Sequence, residues 1–233
     1  MLLLEKDTRN IVLTPEFIIK SDLDIQTIKS LSKYAKLQNN CLIITGGYAT
    51  EAHLGGKITR AHGDIDCILL NLSKVPNEQI LFQVGTILIK EKTRWIQNKT
   101  QPNRGDWREN RKNTPFNNRR RIELKILDEK QFKNQFVELK LIDSSGEKIK
   151  VFVEDIYSIL VEKIHKFYLL KDGVDTTKDR ESSLSDFVDL ARLMKSANVS
   201  VITLLKHLHG KNEEYKYVVE LLGKIKPKII EYL

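Results

Sequence analysis

The stretch Leu42-Ile43-Ile44-Thr45-Gly46-Gly47-Tyr48-Ala49-Thr50-Glu51-Ala52-His53-Leu54-Gly55-Gly56-Lys57-Ile58-Thr59-Arg60-Ala61-His62-Gly63-Asp64-Ile65-Asp66-Cys67-Ile68-Leu69-Leu70 decides the fold. Cys41 to Thr45 is a short apolar run with strand character. Gly46-Gly47 breaks it, and Tyr48 to Leu54 resumes as a helix closed by Gly55-Gly56. Glycines at such a turn let phosphate oxygens approach backbone N–H groups, and a helix N-terminus favours negative charge. A second apolar run follows, Ile65 to Leu70, opened by Asp64-Ile65-Asp66. Side chains alternate along a strand, so Asp64 and Asp66 share one face while Ile65 and Cys67 take the other. Two carboxylates on one face beside a phosphate-cradling turn form an oxygen site for Mg²⁺, with Mn²⁺ as its substitute.

Neither half of this pattern suffices alone. With 31 acidic residues in the chain, an acid-x-acid triplet arises about four times by chance. A Gly-Gly pair is more often only a turn. The information lies in the conjunction of strand, Gly-Gly, helix, and a second strand opening on paired aspartates.

Outward from this segment the chain divides in two. Residues 22–37 space apolar groups at three and four, an amphipathic helix with Ser21 as N-cap. Asn77 to Glu91 has helical spacing, and Arg94 to Gln97 is a candidate strand. Residues 98–118 are rich in Asn, Arg and Pro and read as a long loop. Arg120 to Leu127, Gln135 to Ile142 and Lys148 to Val153 read as strands, the last two joined by the turn Asp143-Ser144-Ser145-Gly146. Beyond Val153 the pattern is helical: Glu154 to Leu170, then Leu184 to Ser196, Val201 to His209 and Glu213 to Lys224, with a polar loop over 172–183. The expected fold class is α/β (α+β). A mixed-sheet domain over 1–153 precedes a C-terminal helical bundle over 154–233.

Composition narrows the classes. The chain has 233 residues, 41% hydrophobic and 30% charged. No apolar run approaches the ~20 residues of a membrane span. Charge interrupts Met1-Leu2-Leu3-Leu4 at Glu5, too early for a signal peptide, so a cytoplasmic protein without membrane contact is expected. Cys41 and Cys67 both adjoin apolar runs and read as buried free thiols. The net charge is +8. Residues 90–125 hold twelve basic and four acidic side chains, a difference that equals the whole excess. Such a segment attracts polyanions, and its Arg119-Arg120-Arg121 run is the candidate nucleic-acid contact. A solvated loop is the alternative.

The Gly46-Gly47-Tyr48-Ala49 and Thr59-Arg60-Ala61-His62-Gly63-Asp64-Ile65-Asp66 segments resemble the polymerase-β-like nucleotidyltransferase superfamily, and in particular the aminoglycoside and lincosamide nucleotidyltransferases. The resemblance implies that Gly46 and Gly47 bind the triphosphate of an NTP and that Asp64 and Asp66 bind metal. It also implies a third carboxylate on a later strand, a metal ligand or base toward the acceptor hydroxyl. Glu123 and Glu138 are the candidates. The lincosamide pattern, an acid on the second strand just before a polar turn, favours Glu138, although the family more often has Asp there. The C-terminal part is similar to the AbiEii-type toxins through Glu162-Lys163-Ile164-His165-Lys166 and Asp186-Phe187-Val188-Asp189-Leu190. That likeness implies that Lys163 contacts nucleotide phosphate with Asp186 in support, and that a cognate antitoxin exists. A solvated lysine is the alternative for Lys163. His62 either orients the site, touches nucleotide, or is merely a polar residue leading into the strand.

The expected reaction moves an NMP from an NTP to an acceptor hydroxyl. RNA is the first acceptor, from the basic segment. A small-molecule acceptor such as an antibiotic is the second reading, and a non-catalytic nucleic-acid-binding module the third.

Overall fold

The computed structural model describes residues 15–60, 62–90, 95–109, 120–171, 189–190, 192–194 and 196. They belong to two compact units, Met1–Glu154 and Asp155–Leu233.

The first unit is built on a seven-stranded mixed sheet. Helix α1 (Pro15–Leu37) leads into β1 (Cys41–Ile44), α2 (Gly46–His53), β2 (Asp64–Leu70) and α3 (Asn77–Lys90). Five strands follow: β3 (Trp95–Gln101), β4 (Arg104–Glu109), β5 (Arg121–Leu127), β6 (Phe136–Ile142) and β7 (Lys148–Glu154). Their order across the sheet is β3-β4-β5-β2-β1-β7-β6. β2 runs parallel to β5 and β1 parallel to β7, while the other neighbours are antiparallel.

Alternation sorts the side chains of the central strands. Ile65, Cys67 and Leu69 of β2 and Ile122, Leu124 and Ile126 of β5 are buried together. Their alternates, Asp64, Asp66, Arg121 and Glu123, therefore share the opposite face. Helix α1 lays Ile25, Ile28, Leu31 and Ala35 into the core, the three-and-four spacing of a half-buried helix. It begins at Pro15, seven residues before the expected start at Asp22, so Ser21 is an internal helical residue rather than a cap. It ends at Leu37, and two residues on Asn39 takes the left-handed conformation (φ 53°).

The long loop expected over 98–118 is corrected in its first part. β3 and β4 form an antiparallel hairpin, with Trp95 opposite Glu109 and Gln101 opposite Arg104. β3 lies at the sheet edge, where polar residues are tolerated. The apolar half of its alternation is carried by few residues, chiefly the buried Trp95 and, on β4, Trp107. The remainder of that stretch, 110–118, lies outside the described residues.

Cys41 and Cys67 are free. Cys67 pairs in register with Ile44, three residues beyond Cys41. That is about 10 Å along the strand, too far for a disulfide. Burial pushes the Cys41 thiol up to about 11 and raises that of Cys67 further, aided by the nearby Asp66 and Glu123 carboxylates.

In the second unit Asp155 caps α4 (Ile156–Lys171), its Oδ1 accepting the backbone N–H groups of Tyr157 (2.9 Å) and Ser158 (3.3 Å). The described residues from 189 on are helical, with Leu190 and Leu193 buried. The helices expected over 201–209 and 213–224 lie outside the described residues. No described helix is long and apolar enough to cross a membrane.

Candidate active site

The site grows from the turn between β1 and α2. The Thr45 N–H donates to the Asp66 carbonyl (2.9 Å), which carries the β1–β2 ladder one step past Ile44. The chain then turns at Gly46, whose φ of +63° disfavours any residue with a Cβ. Space excludes one as well, since a Cβ on Gly46 would lie 2.6 Å from Asp66 Oδ2. A Cβ on Gly47 would lie 2.6 Å from His62 Cε1 and closer still to Nδ1. The glycine pair is thus shaped to the Asp64–Asp66 strand and the residues leading into it. Thr45 occupies the N-cap of α2 without a side-chain capping bond. The end of this helix that presents N–H groups therefore sits where the backbone abuts Asp66.

Asp64 is exposed and Asp66 half-buried, on the same face of β2. Across the parallel pairing Asp64 faces Arg121 and Asp66 faces Glu123. On the next strand Asp106 faces Glu123. Asp66, Glu123 and Asp106 therefore form one row across three strands, neighbours about 4.8 Å apart. Two guanidinium groups hold this row. Arg121 donates to Asp106 Oδ1 (3.1 Å) and pairs with Glu123 Oε2 (2.6 Å), and Arg104 pairs with Glu123 Oε1. Burial works against the Arg121 charge, but the Asp106 hydrogen bond and the fields of Glu123, Asp106 and Asp64 outweigh it.

Glu138 does not join this row. It sits on the edge strand β6, separated from β2 by β1 and β7, about 14 Å at the usual strand spacing. There it is exposed and paired with Lys150 (2.7 Å). Of the two candidates for a third carboxylate, Glu123 lies in register beside Asp66 and Glu138 lies on the edge strand at the far side of the sheet.

In the arginine run, Arg120 is 3% exposed. Its Nε donates to Asp24 Oδ1 (2.6 Å), its Nη2 bonds the same oxygen, its Nη1 lies 3.7 Å from Glu109, and its guanidinium lies 5.1 Å from the Trp95 ring centroid. Asp24 also accepts from the Tyr48 hydroxyl (2.5 Å). Burial raises the Asp24 carboxyl, against the pull of Arg120 and Tyr48. Arg120 is therefore part of a core ion pair, while the partly exposed Arg121 pairs within the carboxylate row. Arg119 lies outside the described residues.

In the second unit Lys163 is buried and donates to Asp189 Oδ2 (2.9 Å), itself buried. Asp186, expected to support Lys163, lies outside the described residues.

Among the described residues no three His, Cys, Asp or Glu side chains already converge as a metal cage. Magnesium usually takes one or two carboxylates and completes its shell with substrate phosphates and water. Asp64 and Asp66 are two carboxylates on one face of β2, and Gly46 places no side chain against Asp66.

No protein-family model matches the chain, and no curated protein matches it. Solved structures with a similar course include the solution structure of the antibiotic-resistance factor ANT(2'')-Ia. It is 14% identical, with 90% of this chain and 94% of that one covered and a TM-score of 0.45. The crystal structure of ANT(2'')-Ia in complex with adenylyl-2''-tobramycin is 14% identical over 78% and 92%, with a TM-score of 0.46. JHP933 from Helicobacter pylori is 15% identical over 94% and 95%, with a TM-score of 0.37.

Proposed function

We propose that this chain is a divalent-cation-dependent nucleotidyltransferase that moves an NMP from an NTP to an acceptor hydroxyl. The observation that supports this best is the placement of Asp64 and Asp66 on one sheet face, with Gly46 against Asp66 and Glu123 in register beside it. Asp64 and Asp66 are the residues that would hold the cation, which when bound neutralises charge on the phosphate oxygens. The N–H groups at the start of α2 meet the β- and γ-phosphates. Glu123 accepts the proton of the acceptor hydroxyl. The hydroxyl oxygen forms a bond to the α-phosphorus, the bond from that phosphorus to the β-phosphate oxygen breaks, and pyrophosphate leaves in line. Arg121, fixed by Asp106, holds Glu123 in place.

For the acceptor, RNA is the first reading. It rests on the exposed cations of the basic segment, such as Lys90 and Lys125. A small-molecule acceptor is the second, favoured by the loss of Arg120 and Arg121 to internal pairs. An antitoxin partner belongs to the first reading alone. The test is incubation of each α-labelled NTP with Mg²⁺ and either total RNA or a panel of small polyhydroxylated amines, beside Asp64→Asn/Asp66→Asn. Label should enter RNA, and the double variant should lose about a thousandfold in rate, the several kcal/mol that cation stabilisation supplies. Label in the small molecules alone would reassign the acceptor. Absence of both transfer and NTP binding would overturn the enzyme in favour of a non-catalytic nucleic-acid-binding module.

A further inference from the structure

The conserving of space around Gly47 has a specific cause, the imidazole of His62. This ring is 4% exposed and tied down on several sides. Its centroid lies 4.7 Å from that of Tyr48, at an interplanar angle of 43°. Its Nε2 lies 3.2 Å from Glu51 Oε1. Glu51 is itself fully buried and accepts the Thr59 hydroxyl on both carboxylate oxygens (3.0 Å each). The His62 carbonyl accepts from Lys20 Nζ of α1 (2.7 Å). The remaining edge of the ring, Nδ1 and Cε1, fills the place where a Cβ on Gly47 would go.

From this packing we infer that His62 is a positioning residue that sets the Gly46–Gly47 turn against the Asp64–Asp66 strand and so fixes the triphosphate site. The inference rests on the nucleotidyl-transfer reading. Only Gly63 separates His62 from Asp64, so one ring is anchored to the carboxylate strand through its own main chain and to the turn through Gly47. Tyr48 and Glu51 come from the same helix whose first N–H groups would meet phosphate, and both press on the ring. A ring so enclosed acts through the backbone of Gly47 and not by touching nucleotide. Displacing such a turn by even an ångström costs a site much of its hold on a ligand.

The experiment measures binding of the four α,β-methylene NTP analogues, with Mg²⁺, to the full chain and its variants. His62→Ala should raise Kd about tenfold, and His62→Gln, which keeps a donor toward Glu51, should stay within about threefold of wild type. Gly47→Ala should raise Kd about a hundredfold. Adding His62→Ala to Gly47→Ala should bring Kd back to that of His62→Ala, because the ring that the new methyl strikes is gone. An unchanged Kd for His62→Ala in a chain with native circular dichroism would overturn the inference, as would losses that simply multiply in the double variant. If Gly47→Ala does not fold, the contrast between His62→Ala and His62→Gln decides alone, equal losses overturning the inference. A wild-type chain that binds none of the analogues would instead overturn the nucleotidyl-transfer reading itself, an outcome distinct from losses confined to the variants.

Discussion

Glu123→Gln should lower kcat at saturating NTP by a hundredfold or more, while Glu138→Gln stays within about twofold of wild type. Both changes remove one carboxylate from a strand of the same sheet. Only Glu123 lies in register with Asp66, where a carboxylate can take a proton from a hydroxyl aligned on the α-phosphate. Glu138 faces solvent with Lys150 on the outer edge strand. The loss at Glu123 should fall on kcat with little change in the affinity for NTP, because the role belongs to the acceptor side of the reaction. Its ion pairs with Arg104 and Arg121 are partly exposed and contribute little to stability, so the variant should unfold near the wild-type temperature. Steady-state kinetics with thermal unfolding as control checks this. Equal activity for Glu123→Gln and wild type would remove Glu123 from the mechanism.

Arg120→Met should destabilise the first unit by about 3–5 kcal/mol, the cost of leaving a buried charge without its partner. The methionine keeps much of the side-chain volume, so the loss is electrostatic rather than a cavity. Asp24 is already pushed up by burial, and Arg120 is the strongest opposing influence. Without it the carboxyl is pushed up further. Asp24→Asn added to Arg120→Met should recover a large part of the loss, since no uncompensated charge remains. Thermal and urea unfolding measure both. A loss under about 1 kcal/mol for Arg120→Met would mean that the guanidinium is solvated, and would return it to the candidates for nucleic-acid contact.

The two glutamates show where the sequence stops being informative. Ile122-Glu123-Leu124-Lys125 and Val137-Glu138-Leu139-Lys140 are nearly the same tetrapeptide on nearly the same strand pattern. What separates them is which strand lies beside β2, and that is a property of the sheet order rather than of either segment. By contrast, Gly46-Gly47 and Asp64-x-Asp66 could be read directly. A turn's glycines and a strand's alternation are local rules that act within a few residues. Arg120 could not be read at all, because its partner Asp24 is 96 residues away and charge counting treats every arginine as solvated. The β3–β4 hairpin was hidden for a related reason. An edge strand needs few apolar residues, and polar composition there imitates a loop. His62 left a faint signal, a histidine two residues before a paired aspartate with an aromatic residue after Gly-Gly. Only the structure shows that the ring occupies the space that Gly47 leaves open.

The central claim is that Asp64 and Asp66 hold the cation of an NTP complex. Titration of Mn²⁺ against the chain, followed by the electron paramagnetic resonance of free manganese with a non-hydrolysable NTP analogue present, tests it most directly. The account predicts that the wild-type chain and Glu138→Gln sequester manganese alike, and that Asp64→Asn/Asp66→Asn weakens it by more than about tenfold. A double variant that sequesters manganese as well as wild type does would contradict it.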